Sequence, residues 1–291
     1  MKPRLFALIV VCIVVCQSAL SIRAESAPAA IVVELSGSAS VREPRRPQRT
    51  LQLYDWVHEG ASISVAKGSH AVLVFASGAR FALKERARVT LSGGTLSRSA
   101  EVEQLSSLPP LPVVAPIASP AAEPIAAATR LRGPSIRNMY PAGHATLADR
   151  TTLHFDGPQG VTGYEITVED DAGTPVLQRE TEKDGSVTVP LNVLEPGRRY
   201  TWRVAILENS TPGPVARGAF ITLPDATAKA RSVLRAGLSN EDLGNVVLLA
   251  RVDEHLGLLY EAREALAAAA AKAPENTLVR QMLARVEERL P

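Results

Sequence analysis

Between Ser106 and Thr129 the chain carries prolines at positions 109, 110, 112, 116, 120 and 124 and a single charged residue, Glu123. Such a stretch has little large apolar surface with which to build a core, and it tends to extended polyproline conformations that reach up to ~3 Å per residue. It therefore divides the 291 residues. One large core is not expected, and the segment 106–130 is expected to be a spacer between modules.

The N-terminal segment carries an address. Lys2 and Arg4 precede an apolar run from Leu5 to Val15, followed by a polar turn and Ile22-Arg23-Ala24, the pattern of an export signal ending at the small Ala24. A membrane span needs roughly 20 apolar residues, and Gln17 and Ser18 interrupt this run after about a dozen. Residues 1–24 are thus expected to be a cleaved signal peptide, with an uncleaved anchor as the alternative. Val15 before Cys16 and Val11 before Cys12 do not suit a lipoprotein, which needs a small residue before its cysteine. Both cysteines of the chain lie in this segment, so the mature protein is expected to hold no thiol and no disulfide. The chain has 32 basic and 30 acidic residues; cleavage removes Lys2, Arg4 and Arg23 and leaves a net charge of about −1. Charge-driven nucleic-acid binding is not implied. A periplasmic or secreted location is expected, with membrane contact only if the signal segment is uncleaved.

Residues 25–105 give short apolar runs about ten residues apart, Ile31-Val32-Val33, Leu51-Gln52-Leu53, Ile63-Ser64-Val65, Val72-Leu73-Val74-Phe75, Phe81-Ala82-Leu83 and Val89-Thr90-Leu91. Gly37, Gly60, Gly68, Gly78 and Gly93-Gly94 separate them, which predicts an all-β sandwich or roll. The series Gly37-Ser38-Ala39-Ser40-Val41, then Leu53 to Ile63, then Gly68 to Leu83 resembles the FecR domain over about 60 residues. It departs at Asp55-Trp56, where that family usually has Gly-Asp, and at Ser77-Gly78, where Asp-Gly is common. Serine keeps the turn. In FecR-type regulators this periplasmic domain belongs to a membrane protein whose cytoplasmic arm controls a sigma factor. Only four residues precede the apolar run here, so the resemblance implies the fold and a binding role rather than sigma-factor control. Arg42, Arg45, Arg46 and Arg49, set with Pro44 and Pro47 in an expected loop, are the candidate ligand-binding residues. Guanidinium groups suit phosphate and carboxylate, hence anionic glycans or lipid phosphates, while a solvated loop has the same composition.

Residues 131–224 alternate polar and apolar positions at Tyr164, Ile166, Val168 and at Tyr200, Trp202, Val204, Ile206, which buries one face of each strand. The run Leu194-Glu195-Pro196-Gly197-Arg198-Arg199-Tyr200-Thr201-Trp202-Arg203-Val204 closely resembles the corner of fibronectin type III domains. The resemblance implies a sandwich in which the Tyr200 hydroxyl bonds back to the turn and the apolar residues after it, Trp202 first, enter the core. Glu169-Asp170-Asp171 lacks the spacing of a calcium loop and is expected to make a turn. His144 and His154 lack metal-site spacing, and His154, between Leu153 and Phe155, falls in the outward phase and is expected to be exposed.

Residues 225–291 turn to alanine, leucine, arginine and glutamate, with Leu248, Leu249, Val252 and Leu256 on one face and Leu259, Ala262, Leu266, Ala269 and Ala270 on another. Amphipathic antiparallel hairpins follow, with Asn240-Glu241-Asp242 capping one helix and Pro274-Glu275-Asn276 separating two. From Val246 to Pro274 the chain resembles one tetratricopeptide repeat, with Gly257 at the turn and Pro274 ending the unit. Asp253 stands where that pattern usually has tyrosine. A single repeat cannot bury its faces alone, so the tail is expected to pack on itself, on the sandwich or on a partner.

The fold class expected is thus multi-domain and mainly β with an α C-terminus: a FecR-like β sandwich or roll, a Pro-rich linker, a fibronectin type III-like sandwich and a short helical-hairpin tail. No glycine-rich phosphate loop, Gly-x-Ser-x-Gly elbow, His-Glu-x-x-His helix or cysteine pair for metal occurs. A non-enzymatic adaptor of the cell envelope is expected, without cofactor or metal, whose β domain binds an envelope glycan or protein and whose tail engages protein. The alternative is an N-terminally anchored sensor acting through a membrane partner.

Overall fold

The computed structural model describes residues 28–97, 100–112, 136–158, 160–161, 163–182, 185–190, 192–208 and 211–290. The expected signal segment, with Cys12 and Cys16, and most of the expected spacer lie outside these residues. The chain is mainly β, with four helices at its C-terminal end.

Ten strands build the first unit: β1 (Pro28–Ser36), β2 (Ala39–Arg42), β3 (Arg49–Thr50), β4 (Trp56–His58), β5 (Ser62–Val65), β6 (His70–Phe75), β7 (Arg80–Leu83), β8 (Arg88–Ser92), β9 (Thr95–Leu96) and β10 (Val102–Leu105). They form two five-stranded antiparallel sheets, in the orders β10-β7-β6-β1-β4 and β3-β2-β5-β8-β9. Strand β5 shows the pleat rule at work: Ser62 and Ser64 face solvent while Ile63 and Val65 enter a core shared with Val41, Val57, Leu73, Phe75, Leu83, Val89 and Leu91. At Gly78 the backbone takes φ 84, and a Cβ there would stand 2.1 Å from the Leu108 carbonyl. Leu108 donates to the Gly78 carbonyl (2.9 Å) and Leu111 to that of Ala76 (2.9 Å). The first residues of the proline-rich segment are thereby tied to this unit.

The second unit contains β11 (Arg137–Tyr140), β12 (His144–Thr146), β13 (Thr152–Asp156), β14 (Gly163–Glu169), β15 (Pro175–Thr181), β16 (Gly185–Thr188), β17 (Arg199–Glu208) and β18 (Thr211–Thr222). A three-stranded sheet, β11-β13-β16, and a five-stranded sheet, β12-β18-β17-β14-β15, share an apolar core of Leu153, Phe155, Ile166, Val168, Trp202, Val204, Ile206 and Phe220. The Tyr200 hydroxyl accepts a hydrogen bond from the Glu195 backbone N–H at 2.8 Å. Trp202, fully buried, donates from Nε1 to the Pro141 carbonyl at 2.8 Å, so its one polar atom is satisfied inside the core. Between β14 and β15, Asp170 Oδ1 accepts from the N–H groups of Ala172 and Thr174, at 2.9 and 2.8 Å, which makes the acidic run a turn.

Four helices follow, α1 (Asp225–Gly237), α2 (Leu243–His255), α3 (Leu259–Lys272) and α4 (Thr277–Glu287). Asp242 caps α2 by accepting from Asn245 N–H (3.1 Å), and Asn276 caps α4 by accepting from Val279 N–H (3.2 Å). Helix α2 stops at Gly257, φ 79, where the Gly257 N–H bonds the Glu254 carbonyl and the Leu258 N–H bonds that of Asp253. That pairing satisfies two terminal carbonyls and needs a left-handed residue, hence glycine. The chain then turns straight into α3, and Pro274 lies in the turn between α3 and α4.

The helical faces do not close on themselves alone. Their apolar cluster takes in Ile31, Tyr54 and Val74 from the first unit, and Ala145, Leu147 and Leu223 from the second. Trp56 packs against the His255 ring (centroids 5.0 Å), and Arg251 donates weakly to the Tyr54 carbonyl (3.4 Å). The tail therefore joins both β units. No helix among the described residues is long and apolar enough to cross a membrane.

Candidate functional site

The four candidate arginines lie at the β2–β3 end of the first unit, and an acid organises the cluster. Glu43 is only 6% exposed, and it accepts from Arg46 (3.1 Å) and faces His58 Nδ1 (3.0 Å) and Arg49 (3.9 Å). Burial alone would raise the Glu43 carboxyl, but the His58 hydrogen bond and the charges of His58, Arg46 and Arg49 outweigh it and hold the group below its ordinary value. Arg49 also pairs with Asp55. Arg46 and Arg49 are thus paired with carboxylates, whereas Arg42 makes a long contact to Gln48 (3.4 Å). Arg45 projects from a left-handed backbone position, φ 61, and is exposed. All four side chains are exposed, and among the described residues Arg42 and Arg45 are the two without an ion pair to a carboxylate.

A second cluster sits where the tail meets the second unit. A cleft of about 550 Å³ runs between α1, α2 and α3 and the β-sandwich, lined among others by Tyr140, Thr151, Arg231, Asp253, Tyr260 and Glu261. Its volume is in the range of ligand-binding clefts. Arg231 on α1 and Asp253 on α2, 7% and 1% exposed, form a two-pronged ion pair, Nε–Oδ1 at 2.5 Å and Nη2–Oδ2 at 2.7 Å. Burial would lower the Arg231 pKa, but the Asp253 contact outweighs it and holds the guanidinium charged; the same burial pushes the Asp253 carboxyl up.

Glu261, in the first turn of α3, forms no ion pair among the described residues. Its carboxyl is pushed up to about 7, by burial first; a hydrogen bond from its own backbone N–H opposes this, Asp253 adds to it, and the charges of Arg231 and Glu264 act in opposite directions. Its Oε2 is shielded from solvent and has no hydrogen-bond partner among the described residues.

Beside it lies a ring cluster. The Tyr140 ring neighbours those of His144, Tyr260 and His154, with centroids at 5.5, 5.6 and 6.3 Å, and His154 stacks on Tyr260 at 4.9 Å. The Tyr140 hydroxyl accepts from the Tyr260 backbone N–H (3.3 Å). His154, expected to be exposed, is instead covered by Tyr260. The outward phase of β13 was correct for an isolated sheet, but α3 lies on that outer face. Burial lowers the pKa of both histidines; at His144 the Arg289 charge adds to it against a hydrogen bond with the Arg289 backbone, and at His154 Glu264 opposes it while Arg263 adds to it.

Sequence reasoning missed Glu261 and the Arg231–Asp253 pair as site residues. Their signal was present: Asp253 and Glu254 interrupt the apolar phase of Leu248, Leu249, Val252 and Leu256, and both acids are buried. A charge in an apolar phase requires a buried partner, and Asp253 finds it in Arg231 while Glu254 finds Arg251 and, at 2.8 Å, Arg289. Among the described residues no three His, Cys, Asp or Glu side chains converge as a metal site. No protein-family model matches the chain, and no curated protein matches it.

Proposed function

We propose that the protein is an exported, non-enzymatic adaptor of the cell envelope, in which a FecR-like β unit contacts an envelope ligand and the tetratricopeptide-like tail, seated on a fibronectin type III-like sandwich, engages a protein partner. The observation that carries this reading is the shared apolar cluster: one helical tail packs on Ile31, Tyr54 and Val74 of one β unit and on Ala145, Leu147 and Leu223 of the other. A partner held by the tail is then held at a set position relative to the first unit, which is what an adaptor requires. The cleft between tail and sandwich supplies the surface, and Arg42 and Arg45 supply the exposed cations for an anionic glycan.

Deleting the tail would expose the apolar surface that it covers, so the test uses substitutions. Ala268→Trp, on the exposed cleft wall, fills the cleft and leaves Arg231 and Asp253 themselves unchanged. Capture of a defined protein from envelope extract by the full chain, lost in Ala268→Trp, is the expected result. Equal capture by both proteins would remove the cleft from the function. Sedimentation with peptidoglycan or lipopolysaccharide should weaken in the Arg42→Ser, Arg45→Ser double variant. Mass spectrometry of the exported chain should find Glu25 as its first residue, and a retained segment 1–24 would favour the anchored sensor.

A further inference from the structure

The cleft beside α3 contains a carboxyl, that of Glu261, with one oxygen unpaired among the described residues. Asp253 is taken up by Arg231 in a two-pronged contact, which leaves Glu261 facing Asp253 and Glu264 with Arg231 already engaged. Arg150, Arg235 and Lys272 line the same cleft, yet none forms an ion pair with Glu261 among the described residues. Lys272 donates instead to the Asn240 carbonyl at 3.2 Å. A buried carboxyl oxygen with no partner is disfavoured in a folded protein, and a ligand that donates to it would remove that penalty. The rings of Tyr140 and Tyr260 line the cleft with it, and aromatic faces attract cations.

We infer that this cleft receives a primary ammonium group, the side chain of a lysine on a polypeptide partner, with the Glu261 carboxylate as its counter-ion and the Tyr140 and Tyr260 rings beside it. The inference rests on the adaptor reading and gives it a chemistry. Lysine, rather than a free amine, follows from size: about 550 Å³ accommodates a side chain with its flanking backbone, far more than an ammonium group alone fills. Tyr140, packed on His144 and His154, is held by the Tyr260 backbone N–H, so the aromatic wall is set before any ligand arrives.

The test is a calorimetric titration of the full chain with the peptide Ac-Gly-Gly-Lys-Gly-Gly-NH2, with its Nε-acetyl-lysine counterpart, and with 1,5-diaminopentane. At pH 8 the lysine peptide should bind at least about tenfold more tightly than the acetylated one. Below pH 7 its affinity should fall, approaching about tenfold per pH unit as the ligand displaces a proton from Glu261. Glu261→Gln should lose most of the affinity and the pH dependence together. The wild-type pH profile and the acetylated control stay decisive if that variant folds poorly. Equal binding of the two peptides, or affinity that does not change between pH 6 and pH 8, overturns the inference. Binding of diaminopentane without the lysine peptide overturns the polypeptide source. If a partner is captured in an Ala268-dependent way but no ammonium binds, the adaptor reading stands and this inference fails alone.

Discussion

Two glutamates, each beside a cluster of arginines, end in opposite electrostatic states. Glu43 on the first β unit is held below its ordinary pKa, while Glu261 in the cleft is pushed up to about 7. Burial opposes ionisation at both, and only at Glu43 is it outweighed. The supply of uncommitted cations differs between the two. Glu43 faces His58, Arg46 and Arg49, and Asp55 shares Arg49 with it. Glu261 faces Asp253 and Glu264, and Arg231, whose charge acts on it, is already bound to Asp253. The first cluster is closed within the fold and stabilises it, whereas the second is left open, which is why a ligand is proposed for the second.

The largest test of that contrast is Asp253→Ala. It leaves the Arg231 guanidinium 7% exposed and without its anion, a change expected to cost about 3–5 kcal/mol in urea unfolding. The double variant Arg231→Met, Asp253→Leu removes both charges and should recover most of that loss. If Asp253→Ala were mild, Glu261 would be the partner that Arg231 prefers, and the open-cluster picture would break.

The next test uses pH. Glu261 ionises at about 7 in the folded chain against an ordinary value of 4.5, so the folded state holds more protons than the unfolded one between those values. Stability should therefore fall as pH rises through that window, by up to about 3 kcal/mol from this group. His144 and His154 act in the other direction: their folded pKa values lie below 6.5, so their contribution is full above 6.5 and is lost as pH falls below it. The difference between wild-type and Glu261→Gln stability isolates the glutamate. The variant should gain on wild type as pH rises from 5 to 8, and parallel curves would show that Glu261 has a counter-ion.

How much of this was legible depended on whether the signal was local. Alternation around Ile63 and around Tyr164 to Val168 predicts strands that the structure contains, and the Asp170 turn and the Asp242 and Asn276 caps use side chains bonded two to four residues away. Trp202 fills the core as its strand phase implies. The seating of the tail on Tyr54 and Trp56 had no local signal, because Arg251 meets the Tyr54 carbonyl across 197 positions and nothing in either segment specifies the other. Covering of His154 failed for the same reason. Of the candidate arginines, sequence could place four around one loop, where Arg42 ends β2 and Arg49 opens β3, but could not tell that Glu43, a buried acid among them, would pair with two of them at the surface. Glu261 was hidden differently. Its partner is missing rather than distant, and a missing partner has no sequence pattern.

The remaining test compares removal of an acid with removal of one of its cations. Glu43→Ala strips the acid from His58, Arg46 and Arg49 at once and should cost about 1–3 kcal/mol at pH 7, since charge-assisted hydrogen bonds of a buried carboxylate are lost. Because the folded pKa of Glu43 is lowered, that contribution is present above 4.5 and disappears as pH falls through the folded value, opposite in sign to Glu261. Arg46→Ala removes one cation whose side chain is 58% exposed and leaves His58 and Arg49 in place, so the loss should stay under about 1 kcal/mol. A larger loss from Arg46→Ala than from Glu43→Ala would mean that the arginine holds the loop by packing rather than by charge. The first cluster would then be closed by sterics, and its contrast with Glu261 would no longer concern cations at all.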